Sequence, residues 1–192
     1  ARIYPVALER KCGVIVHRIE PPLPFAPTGP GVVNWFATEP TLVREFGGKC
    51  PYPVMITPGP NSEVHQVLPL GALTPHARHW NPYTIAVAWI VDRDNPGPGA
   101  EQMNNLIDVC YHLTRLLAGR ELPRGTLMRP LSFRVPIGST IPVWGHAECR
   151  GASSDKSKTC PAPVDCHELR QDVAAYLRNG GGGSLANLGF EF

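Results

Sequence analysis

The chain has 192 residues and a formal net charge of +2 with its histidines neutral. That length suits one domain with small appendages. So weak a charge, with Lys and Arg scattered along the chain, argues against a nucleic-acid binder. No window has the length and apolarity of a membrane span, and residues 1–5 lack the apolar run of a secretory signal.

The 22 prolines predict many stiff, irregular connections. Residues 11–17 read as a short buried strand ending in His17, followed by a Pro-rich loop over residues 21–30. Residues 32–46 read as a helical or mixed segment, broken near Pro40 and stopped by Gly47 and Gly48. Residues 52–56 form a strand, 58–61 a turn and 63–68 the returning strand of a hairpin. Residues 83–91 are rich in β-branched and aromatic side chains, the composition of a central strand.

Residues 100–118 form the clearest helix. Met103, Leu106, Ile107, Cys110, Leu113, Leu116 and Leu117 fall on one stripe at the helical period, and Gly119 follows as a stop. Residues 141–146 are a short extended run ending in His146. Residues 165–178 form a second helix with Asp165 as N-cap and Leu169, Val173, Tyr176 and Leu177 facing inward. A Gly-rich tail covers residues 180–192, and its Leu185, Leu188, Phe190 and Phe192 suit docking onto a larger assembly. These elements predict an α/β fold: one domain over residues 1–179, a central mixed β-sheet flanked by helices.

The six cysteines lack the density of a disulfide scaffold. Cys110 lies on an apolar helix face, where a thiol acts as a small hydrophobe. Cys160 follows His146 by fourteen residues. With His17 these make two imidazoles and one thiolate, a three-ligand zinc set that leaves a fourth position open, as in catalytic rather than structural sites.

Gly145-His146, followed by a loop and Lys158-Thr159-Cys160-Pro161, resembles the C-terminal signature of the type 2 N-acetylmuramoyl-L-alanine amidases. That family includes phage endolysin amidases and the animal peptidoglycan recognition proteins. Three further matches come in the family's order. His17 closes the first strand. Tyr52-Pro53-Val54-Met55-Ile56, with Glu63-Val64-His65-Gln66 after a turn, resembles the family's hairpin. The stretch from His76-Ala77 through Trp80-Asn81 to Thr84-Ile85-Ala86-Val87 resembles its His-Ala to Ile-Gly-Val segment.

The resemblance implies one Zn²⁺ ion held by His17, His146 and Cys160. It implies catalytic roles for Tyr52 and Lys158, and a substrate contact or proton-transfer role for His76. The implied reaction is cleavage of bacterial peptidoglycan between muramic acid and the first alanine of the stem peptide. The chain departs from the family at Arg18, Pro53 and Ala86, and its loop after His146 is long, which makes Cys149 a rival to Cys160; the Lys and Pro flanking Cys160 favour it. Where some relatives carry a Glu base on the central strand this chain has Ala88, which implies the chemistry of the phage branch, with action in the bacterial cell wall or periplasm; a phage or a bacterial origin both stay open.

The remaining histidines read as bland: His65 on a strand, His79 structural or in a groove wall, His112 on a helix surface, His167 at a helix start. Glu20 and Glu148 read as partners of imidazole N–H groups or as ordinary loop carboxylates. Two rival readings remain. One is a module that binds peptidoglycan without cutting it; the other is a structural component of a phage particle.

Overall fold

In β2 (Gly13–Ile19) successive side chains point to opposite sides of the sheet, and both sides are buried. Val14 and Val16 enter one apolar cluster, whereas Ile15 and Ile19 enter two others on the opposite side. His17 shares the side of Ile15 and Ile19, and that alternation selects the face on which the site is built.

This computed structural model describes residues 4–5, 8–77, 80–120, 141–149 and 160–180. Its main sheet has five strands: β4 (Val64–Gln66), β3 (Val54–Ile56), β6 (Thr84–Ile90), β2 and β7 (Val143–Gly145), in that order. β6 and β7 flank β2 in parallel, β3 joins β6 in parallel, and β4 runs antiparallel at the edge. A second, two-stranded sheet pairs β1 (Tyr4–Pro5) with β5 (Ala72–Leu73).

Helices cover both faces, as a largely parallel sheet requires. α3 (Ala100–Leu116) and α4 (Cys166–Asn179) pack over Val14, Val16, Val87 and Trp89. α1 (Gly29–Thr38) and α2 (Pro40–Phe46) lie on the other side, where Val32 and Phe36 meet Ile19, Met55, Ala88 and Ile90. The expected α/β architecture is therefore the one observed.

The break between α1 and α2 falls at Glu39, before Pro40. Its backbone leaves the helical region and its carboxylate accepts from Leu42 N at 2.8 Å, capping the second helix. Asp165 caps α4 by accepting from His167 N.

Three expectations needed correction. β2 runs two residues past His17, so the histidine sits inside the strand. His112 is buried at 3 % exposure rather than on a helix surface, because α4 packs across α3 and the rings of Tyr111 and Tyr176 meet at 6.0 Å. Leu177 is 37 % exposed; the buried side chains of α4 are Cys166, Leu169, Arg170 and Val173, with Tyr176 at the margin. Lys158, His79 and most of the Gly-rich tail lie outside the described residues. Among the described residues no helix is long and apolar enough to cross a membrane.

Candidate metal centre

Three segments remote in sequence converge on one point. His17 comes from the middle of β2, and His146 opens the short helical turn after β7. Cys160 enters from the loop before α4. One donor atom from each of the three lies within 4.8 Å of the others. His17 Nδ1 stands 4.0 Å from Cys160 Sγ. Donor atoms around a tetrahedral zinc stand about 3.5 Å apart, so the set is only slightly wider than one ion needs.

Backbone contacts hold each arm. Ala147 N donates to the Cys160 carbonyl at 2.8 Å, which ties the His146 turn to the cysteine loop. Arg18 N donates to Cys160 Sγ at 3.2 Å. Trp89 Nε1 donates to the Pro161 carbonyl at 3.3 Å. The strand end tolerates no side chain at Gly145, because a Cβ there would sit 2.7 Å from Pro161 Cδ.

Glu148 shapes the His146 turn from beneath. It accepts from Gly145 N at 2.8 Å and pairs with both terminal nitrogens of Arg170 at 2.9 and 3.1 Å. Arg170 also donates to the Val143 carbonyl at 2.9 Å, so α4 and β7 are locked together under the turn. Neither sequence reading of Glu148 anticipated this. Glu20 forms an exposed pair with Arg18 at 2.8 Å.

Tyr52 stands beside His17, with ring centroids 5.1 Å apart, and packs against Phe36. Burial, reinforced by the nearby Cys160 and Cys50, pushes its phenol well above the usual range, so it stays a neutral hydrogen-bond donor. The β6 position opposite His17 is Ala88, which brings no carboxylate to the site. Cys149 is buried beside Ile15, Trp80 and Trp144 and is not part of the His17, His146 and Cys160 group.

The structure places His76 behind His17 rather than on an open wall. It is 6 % exposed, and its Nδ1 lies 3.1 Å from His17 Nε2. Burial, with Lys11 and His146 adding repulsion, holds it neutral and pushes its pKa down to about 3. Asn81 Oδ1 accepts from both His76 N and Ala77 N, closing the loop that carries the ring. Lys11 donates to the carbonyls of Asn81 and Thr84, each at 2.8 Å. Sequence reading held Asn81 and Thr84 only as part of the family-like stretch and gave them no role, and it gave none to Lys11, which stands just before β2.

The chain thus has a mixed sheet with helices on both faces and a His-His-Cys cluster at the site. Solved structures of phage endolysins and N-acetylmuramoyl-L-alanine amidases have a similar fold. The Ph2119 endolysin from Thermus scotoductus MAT2119 bacteriophage Ph2119 superposes with a TM-score of 0.54 at 16 % identity, covering 85 % of this chain and 84 % of that one. The endolysin N-acetylmuramoyl-L-alanine amidase LysCS from Clostridium intestinale URNW gives 0.56 at 14 % identity, covering 89 % of each chain. A selenomethionine derivative of AmpD gives 0.51 at 19 % identity, covering 84 % of each. No protein-family profile and no curated protein sequence matches the chain.

Proposed function

We propose that the chain is a zinc-dependent N-acetylmuramoyl-L-alanine amidase that acts on the bacterial cell wall in the manner of a phage endolysin. It would cleave the amide between the muramic acid lactyl group and the first alanine of the stem peptide. The observation that carries the reading is the convergence of His17, His146 and Cys160 on one point beside Tyr52. Two imidazoles and a thiolate suit zinc, and three protein ligands leave a position for substrate chemistry.

When bound, zinc supplies Lewis acidity, lowering the pKa of water to about 7 and polarising a carbonyl. The chain's own groups do the rest. The Tyr52 phenol, held neutral, donates a hydrogen bond to the lactyl carbonyl oxygen as negative charge grows there. The Lys158 ammonium stabilises the same charge. The Arg18 backbone N–H keeps electron density on the Cys160 sulfur. Glu148 and Arg170 hold the turn that carries His146.

Replacing Cys160 by Ser tests the reading. Bound zinc and release of stem peptides from purified sacculi should fall together. Retained zinc and retained release would overturn the ligand assignment. Zinc bound by the wild type without any peptide release would favour a wall-binding module instead.

A further inference from the structure

A chain of buried polar groups runs away from the metal side of His17, and its hydrogen-bond distances fix where each proton sits. Thr84 Oγ1 lies 2.8 Å from the Trp80 carbonyl oxygen. A carbonyl only accepts, so the single hydroxyl proton of Thr84 is committed there. His76 Nε2 lies 3.3 Å from Thr84 Oγ1 and must therefore donate to it. A neutral imidazole carries one N–H, which leaves His76 Nδ1 with a lone pair. That lone pair faces His17 Nε2 at 3.1 Å, so His17 Nε2 is the N–H. His17 Nδ1 is then bare on the side facing Cys160 Sγ.

The opposite direction is the weaker one. Thr84 would have to give up its 2.8 Å bond to Trp80 to donate across 3.3 Å to His76. It would also place a proton on the His17 nitrogen that a metal needs bare. The frame around the relay is rigid. Lys11 is fully buried and grips the Thr84 and Asn81 carbonyls, while the Asn81 side chain grips the backbone of His76.

We propose that Thr84 and His76 are positioning residues that set the tautomer of His17, so that its Nδ1 is presented as a ligand before any metal arrives. The consequence for zinc rests on the function proposed above, whereas the tautomer is a property of the metal-free chain. An imidazole ligand oriented by an outer hydrogen-bond partner holds metal more tightly, and loss of the partner typically costs about 10–100-fold in affinity. His76 thereby acts through His17 and not on substrate.

The test uses the full metal-free chain with isotope-labelled histidine in mildly alkaline buffer. Long-range proton–nitrogen correlations assign the protonated nitrogen of each ring. Wild-type His17 is expected as the Nε2–H tautomer. Thr84→Val should mix the His17 tautomers and weaken zinc about tenfold by chelator competition, while Thr84→Ser keeps both properties. A wild-type His17 protonated at Nδ1 overturns the proposal, as does Thr84→Val with unchanged tautomer and zinc affinity. If Thr84→Val does not fold, the wild-type tautomer decides alone. If the predicted tautomer is found in a chain that binds no zinc, the relay stands and the amidase reading falls.

Discussion

The Arg18 backbone N–H donates to the Cys160 sulfur at 3.2 Å, across 142 residues of chain. Cys160 is also the one cysteine that is not buried. Burial pushes the other five thiols up: Cys12 to about 11, Cys50 to about 12, and Cys110, Cys149 and Cys166 likewise well above the usual thiol range. Alkylation of the metal-free native chain should therefore modify Cys160 first, with the rest reacting only after denaturation. Zinc should protect it. Peptide mapping that finds fast labelling elsewhere, or no protection by zinc, would count against this arrangement.

Tyr52→Phe and Lys158→Ala should each leave bound zinc at wild-type levels while lowering turnover on purified sacculi. Removing one donor to a developing oxyanion costs about a hundredfold or more. Loss of zinc in Tyr52→Phe would instead mean that the phenol supports the ligand cluster. Wild-type turnover in Lys158→Ala would remove that residue from the chemistry.

The Glu148–Arg170 pair is nearly buried and bidentate, whereas Glu20–Arg18 is exposed. Glu148→Ala strands the Arg170 charge and unties Gly145 N, so it should destabilise by about 3 kcal/mol. Glu20→Ala should cost less than about 1 kcal/mol. Urea unfolding of both variants checks the ordering, and equal losses would show that the pair under the turn is no stronger than a surface contact.

Lys11 carries a pH signature. Its buried ammonium has a pKa lowered from 10.5 to about 8 by desolvation, partly opposed by the neighbouring Cys12. Between those values the unfolded chain binds a proton that the native chain has released, so this residue's contribution to stability rises with pH. The buried thiols, raised above their usual 9.0, work in the opposite sense at alkaline pH. The Lys11 share is therefore read as the difference between wild type and Lys11→Met across that window. Parallel stability curves would contradict it.

What was legible in the sequence was what periodicity encodes. The stripe on α3 and the β-branched run of β6 declare themselves because each buries a regular face. His112 was misread because α3 is covered on two sides, by the sheet and by α4, and a single stripe underestimates such burial. Leu177 was misread for the converse reason: the buried side chains of α4 run from Cys166 to Val173, and the last turn is left at the margin. The metal cluster was legible only through the resemblance, since spacing alone does not bring residues 17, 146 and 160 together. The His76 relay was not legible at all. Its links run through the Trp80 carbonyl and the Thr84 hydroxyl, and no residue pattern announces which backbone oxygen a hydroxyl will meet.

Every catalytic role proposed above depends on one ion shared by His17, His146 and Cys160. X-ray absorption at the zinc edge on the zinc-loaded chain reads that sharing out. The expected shell has one sulfur at about 2.3 Å and two imidazole nitrogens at about 2.0 Å, the sulfur vanishing in Cys160→Ser. A shell without sulfur in the wild type, or one unchanged by that substitution, would contradict it.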